Sequence, residues 1–214
     1  MMLKAQQKLD VVSHYKFEKI CELSHPNTVA GFEILSKTQQ LSWPAFDRQT
    51  LGLIGHLDQG LAGHVSINLS AASIINTQDS LIQRAAEARP GLVIEWVESF
   101  CSEKDFKLVA ESLSRWKRDF GIMVSIDDIG KGQDGVERLL AVQADFAKID
   151  GAILHAARTS PKHRGAMKFL CQWCKEENVP TVIEWVETGE DMRIAQDCGG
   201  VFGQGYYFEG IERC

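Results

Sequence analysis

Acidic and amide side chains recur in this chain at the carboxyl ends of apolar runs. Glu33 interrupts Gly-Phe-Glu-Ile-Leu, Asn68 closes Val-Ser-Ile-Asn, Glu95 closes Leu-Val-Ile-Glu, Asp127 and Asp128 follow Met-Val-Ser-Ile, and Glu184 closes Thr-Val-Ile-Glu, with Glu187 three residues on. Lys148, in Phe-Ala-Lys-Ile-Asp, is the one cation of the set. A carboxylate in a half-buried strand end costs on the order of several kcal/mol unless it is paired or bound to a cation. Any one of these acids reads equally well as a helix cap or a partner for a surface lysine. Taken together at successive strand ends, they read as oxygen ligands for hard cations such as Mg²⁺ or Mn²⁺. The side chains of adjacent Asp127 and Asp128 diverge, so they can reach two different ions. Two metals ~3.5–4 Å apart form the arrangement that clamps an in-line phosphoryl displacement.

The elements that must present these groups alternate along the chain. Strand candidates are 15–23, 29–35, 64–69, 91–97, 122–126, 145–149, 181–186 and 201–202. Helix candidates are 43–57, with Pro44 in its first turn, 71–88 after Ser70, 103–120 after Ser102, 135–142, 161–178 and 190–197. Strand–helix alternation of this kind makes a mainly parallel sheet. Eight strand candidates within 214 residues predict a single α/β domain folded as a modified (β/α) barrel, with an open doubly wound sheet as the alternative. In a barrel the carboxyl ends converge on one mouth, where active sites sit. The hexapeptide Val-Ile-Glu-Trp-Val-Glu occurs at both 93–98 and 182–187, so two distant strands end in the same chemistry.

The chain carries 29 acidic against 23 basic residues, a formal charge of −6, which argues against a fold-wide basic surface for nucleic acid. Bound cations would let an acidic protein hold phosphate. No apolar run reaches the ~18 residues of a membrane span. The first residues lack the core of a secretory signal, so the six cysteines read as reduced cytoplasmic thiols. Cys171-x-x-Cys174 lies in a helical pattern with no second pair to complete a zinc site, and reads as packing. The six histidines show no ligand spacing, and no Gly-x-Ser-x-Gly elbow is present. Gly130-x-Gly132-x-x-Gly135 imitates a dinucleotide fingerprint, but the two carboxylates before it would repel a pyrophosphate unless metals intervened.

The same residues carry a family resemblance. Residues 31–35 resemble a Glu-Ala-Leu motif with Ile in place of Ala. Ser66-Ile67-Asn68-Leu69-Ser70, Ile94-Glu95-Trp96-Val97-Glu98, Asp127-Asp128-Ile129-Gly130-Lys131-Gly132, Lys148-Ile149-Asp150, Glu184-Trp185-Val186-Glu187-Thr188 and Gln204-Gly205-Tyr206 follow in order. From about Tyr15 to Phe208 the chain resembles the EAL-domain family of bacterial cyclic-di-GMP phosphodiesterases, modified barrels that use two divalent metals, Mg²⁺ or Mn²⁺, to cut cyclic-di-GMP to linear pGpG. The resemblance implies one EAL-like domain, with a core of about 12–210 and an N-terminal extension over 1–11. It implies that Glu33, Asn68, Glu95 and Asp127 hold one ion. Asp127 bridges to a second, bound with Asp128 and Glu184. Lys148, Glu184 and Asp127 are the implied catalytic residues, with Lys148 orienting the attacking water. Leu35, Lys37, Gln204 and Glu18 are implied to meet substrate, and Glu98, Asp150 and Glu187 to support the site. A homodimer and a protein partner are further expectations.

The chain departs from the family pattern around this core. Lys37 stands where an Arg contacts substrate phosphate, keeping the charge without the bidentate fork. Phe17-Glu18-Lys19-Ile20 replaces Tyr-Gln-Pro-Ile, so Glu18 stands for a guanine-binding amide. The loop 131–134 is rewritten, the 35–65 stretch is short enough to imply a trimmed helix, and a terminal Pro is missing after Phe208. Trp96 and Trp185 replace small residues beside two ligands and are expected to narrow the site. These departures leave an alternative open: a catalytically weak or inactive module that senses nucleotide or regulates a partner protein.

Overall fold

In the computed structural model, which describes residues 14–57, 60–97, 101–132 and 134–210, eight strands close into a barrel in chain order. They are β1 (Tyr15–Glu22), β2 (Val29–Ser36), β3 (His64–Leu69), β4 (Leu92–Trp96), β5 (Met123–Ile129), β6 (Phe146–Ile149), β7 (Thr181–Ile183) and β8 (Phe202–Gln204). β1 runs antiparallel to both β2 and β8, and every other neighbouring pair is parallel. The connection from Glu22 to Val29 is too short for a crossover, so the chain has to turn back as a hairpin. Closure removes the open doubly wound sheet from consideration.

The helices are α1 (Trp43–Leu57), α2 (Ala71–Asn76), α3 (Asp79–Ala88), α4 (Glu103–Phe120), α5 (Gly135–Ala141), α6 (Gly151–Ala157), α7 (Pro161–Glu176), α8 (Gly189–Asp197) and α9 (Tyr206–Gly210). α4 shows how local chemistry sets an element. The Ser102 hydroxyl accepts from Asp105 N at 3.1 Å, Glu103 and Asp105 sit in the positive first turn, and Gly121 closes the helix at φ 69°. Its Val109, Leu113 and Trp116 form one buried face at helical spacing. On α7, Cys171 and Cys174 are buried, with burial pushing their thiols up to about 12 and about 11, the chemistry of packing rather than of redox exchange.

Several boundaries differ from the sequence reading. The single helix over 71–88 is two. Asn76 Nδ2 donates to Ala72 O at 2.8 Å and Thr77 Oγ1 to Ser73 O at 2.7 Å; these side chains compete with the helical ladder, and Thr77 turns extended. β7 stops at Ile183 rather than 186, so Glu184 and Trp185 lie beyond the sheet. β8 lies at 202–204, and α7 ends at Glu176. α6 and α9 are additional. The first is capped by Asp150, whose Oδ1 accepts from Ala152 N at 2.8 Å.

Candidate active site

Lys148 is 1% exposed and stands at the centre of the barrel mouth. Its Nζ lies 2.9 Å from Glu33 Oε2, 2.9 Å from Glu95 Oε2, 3.0 Å from Glu184 Oε1 and 3.4 Å from Asp127 Oδ1. Those partners come from β2, β4, β5 and the end of β7, so the barrel itself assembles them. Asn68 is the register partner of Glu95, and its Nδ2 donates to Glu33 Oε1 at 2.6 Å. Glu18 faces Glu33 across the β1–β2 pair, and Gln204 Nε2 bridges the two acids at 2.9 and 2.7 Å.

Four carboxylates against one ammonium leave the cluster with excess negative charge. Burial, reinforced by Glu33, pushes Glu95 up to about 8, and burial likewise pushes Glu184 up to about 8. Burial also raises Asp127. It would raise Glu33 too, but Lys148 with the Gln204 and Asn68 amides outweighs it and holds that carboxyl low. Burial alone would lower Lys148, yet the surrounding carboxylates hold it well above its ordinary value, as a charged ammonium.

The β5–β6 ladder shifts register between Ile126 and Ile129, and Asp128 takes φ 55°. A bulge of this kind re-aims successive side chains. Asp127 faces Lys148, while Asp128 joins Asp150 and Glu184, with carboxylate oxygens all within 4.8 Å of one another. Lys131 reaches the same group, 3.1 Å from Asp128 and 3.7 Å from Asp150. Asp150, read from the sequence as supporting, is thus placed among candidate ligands. Its position two residues after Lys148 carried that signal.

An all-oxygen donor set with surplus negative charge fits hard divalent cations. Asn68 Oδ1, Asp127 Oδ1, Asp150 Oδ2 and Gln204 Oε1 are buried acceptors without a hydrogen bond, as ligand atoms would be. The cavity at the mouth has a volume of about 280 Å³, and its lining includes Glu18, Leu35, Asn68, Lys148 and Trp185. A second cavity of about 400 Å³ adjoins it, sharing Glu18, Trp185 and Gly205.

The remaining residues singled out from sequence are placed as follows. Lys37 is exposed just past β2 and lines neither cavity. Glu187 borders the outer cavity, with Oε2 3.6 Å from His155 Nε2 and 3.7 Å from Arg158 Nη2. Glu98 and residues 1–13 lie outside the described residues. Trp96 corrects an expectation: it is 1% exposed and packs away from the mouth, its ring 5.1 Å from Phe106, so it does not narrow the site. Trp185 does line it. Sequence reading passed over Arg138, a fully buried guanidinium that donates to the carbonyls of Trp96 at 2.5 Å and Asp127 at 2.9 Å, and to Asp134 Oδ1 at 3.1 Å.

Comparison with known proteins agrees with the barrel fold. A probable cyclic di-GMP phosphodiesterase of Escherichia coli, PdeG, is 27% identical over 170 residues, 75% of this chain and 32% of that protein. The cyclic di-GMP phosphodiesterase PdeB of Shewanella oneidensis is 29% identical over 92 residues, 43% of this chain and 11% of that one. The chain spans about a third or less of the length of these curated relatives. A standalone EAL protein of Vibrio cholerae, solved in a c-di-GMP-bound form, superposes with a TM-score of 0.76 at 20% identity, over 90% of this chain and 89% of that one. Klebsiella pneumoniae BlrP1, solved as a manganese/cy-diGMP complex, gives 0.73 at 25% identity, over 90% of this chain and 54% of that one. A model of the EAL domain matches residues 23–210, and on that match the chain belongs to the EAL domain family.

Proposed function

We propose that this chain hydrolyses cyclic-di-GMP to linear pGpG with the help of two Mg²⁺ or Mn²⁺ ions. The observation that carries the reading is Lys148 with Glu33, Glu95, Asp127 and Glu184 gathered round one ammonium, beside the Asp128–Asp150–Glu184 group. Glu33, Asn68, Glu95 and Asp127 would hold one ion. Asp127, Asp128 and Glu184, with Asp150 alongside, would hold the other. Two such ions, when bound, neutralise phosphodiester charge and acidify a bound water.

The chain's own groups do the rest. Lys148, as an ammonium, only donates, so its Nζ can hold the attacking water by its oxygen. The carboxylates grouped around that Nζ are the acceptors within reach for the proton the water gives up. Attack at phosphorus breaks the P–O3′ bond and leaves a 5′-phosphate and a 3′-hydroxyl, the ends of pGpG. Glu18, Leu35 and Gln204 border the inner cavity where substrate would lie. Purified protein incubated with cyclic-di-GMP and Mn²⁺ is expected to yield pGpG, and EDTA to stop it.

A second reading is a catalytically weak module that binds nucleotide or a partner protein. Lys37 favours it, since this exposed side chain lines neither cavity where it would meet a phosphate.

A further inference from the structure

Trp185 is a bulky residue at φ 55°, in the left-handed region where a large side chain is an outlier that concentrates at functional sites. Its ring packs against Gly151, where a Cβ would fall 2.2 Å from Trp185 Cγ. Its carbonyl lies 3.1 Å from His155 Nε2, which donates in the Nε2–H tautomer. Held in this way, Trp185 is still 48% exposed, and it lines both the carboxylate cavity and the outer one. The outer cavity is bordered by the carboxylates of Glu18, Glu187 and Glu209, with Lys19, His155 and the exposed Tyr206 beside them, so acceptors outnumber the one lysine. A group that fits there is planar, apolar on its faces and rich in N–H donors at its edge. A purine base bearing its own N–H donors has that chemistry, and one joined to a phosphodiester in the inner cavity would reach it by passing Trp185.

We propose that Trp185 is the base-stacking, specificity-determining residue of the phosphodiester site, a role that rests on the phosphodiesterase reading for its substrate. Stacking binds substrate and transition state alike, so its loss acts on KM. The competing role for the ring, a plug over the mouth, predicts the opposite sign.

The test compares wild type with Trp185→Ala, Trp185→Phe and Trp185→Gly. KM and kcat are measured for cyclic-di-GMP in Mn²⁺, and tryptophan fluorescence is titrated with cyclic-di-GMP in Ca²⁺. The expected result is a KM raised about tenfold in Trp185→Ala and kept within about threefold in Trp185→Phe, which preserves a ring. Nucleotide should quench wild-type emission, and Trp185→Phe should lose that quenching. Glycine accepts the backbone angle, so Trp185→Gly should raise KM without lowering Tm. Wild-type turnover with KM unchanged or lowered in Trp185→Ala overturns the stacking role and leaves the phosphodiesterase reading standing. Quenching through Trp185 without turnover overturns hydrolysis and keeps the base contact. Neither turnover nor quenching in wild type overturns both.

Discussion

Arg138 Nη2 donates to the main-chain carbonyl of Asp127 at 2.9 Å, from a guanidinium with no solvent exposure. The same side chain donates to Trp96 O, the residue after Glu95, and its Cζ lies 5.9 Å from the Trp96 ring centroid. One cation on α5 therefore fixes the ends of β4 and β5, where two of the acids around Lys148 are carried. Arg138→Met would take this donor from two carbonyls, one buried and one part-buried, costing about 2–4 kcal/mol. Outer partners of metal ligands commonly govern affinity by about 10–100-fold. We expect Mn²⁺ binding, followed by calorimetry on the folded variant, to weaken about tenfold, with Arg138→Lys falling between. Wild-type affinity in Arg138→Met would remove Arg138 from the positioning of the site.

Among the described residues, Lys148 is the only counter-charge that touches Glu33, Glu95, Asp127 and Glu184 together. Removing one partner of a buried charge set costs about 3–5 kcal/mol. Lys148→Met should lower unfolding stability in urea by that order in metal-free buffer. A divalent cation supplies the missing charge, so Mn²⁺ should raise the variant's Tm more than it raises that of wild type. Equal Tm shifts in the two proteins would contradict a shared site for cation and carboxylates.

Asp191 organises the segment that leaves β7 for α8. Its carboxylate accepts from Arg158 Nε and Nη2 at 2.7 and 2.8 Å and from Thr188 N at 2.9 Å, closing a capping box with Thr188. Burial pushes it up, but Arg158 and the Thr188 hydroxyl outweigh that and hold it at about 2. A lowered folded-state value adds stability that is complete above the ordinary Asp range and is lost as pH falls towards 2, worth about 2 kcal/mol. Urea midpoints should fall below pH 4 in wild type, and Asp191→Asn should be less stable at pH 7 with a flatter acid limb. Parallel acid limbs in the two proteins would show that this ion pair carries no linkage.

Strand alternation made much of the barrel legible, because apolar runs with polar ends survive whatever packs on them. The Trp96 orientation was readable by the same rule. Neighbours in a strand face opposite ways, so with Glu95 turned inward Trp96 had to turn outward. The rule fails at Trp185 because β7 ends at Ile183 and a left-handed angle intervenes. The break between α2 and α3 rests on side-chain competition at Asn76 and Thr77, which no apolar period registers. α6 is too short for a period to show, and only its Asp150 cap announces it. Arg138 gave no signal at all. Its burial depends on three carbonyl and carboxylate partners that meet only once the barrel has closed.

The most direct test of the account is cyclic-di-GMP hydrolysis by wild type and Asp127→Asn, each with Mn²⁺ and with EDTA, with pGpG separated from substrate. Asp127 faces Lys148 from the bulged end of β5 and is the group assigned to both ions. Wild type is expected to form pGpG only with the metal, and the variant to lose at least about a hundredfold in kcat, the scale of removing one preorganised charge-stabilising group. Wild-type turnover by Asp127→Asn, or turnover untouched by EDTA, would contradict this assignment.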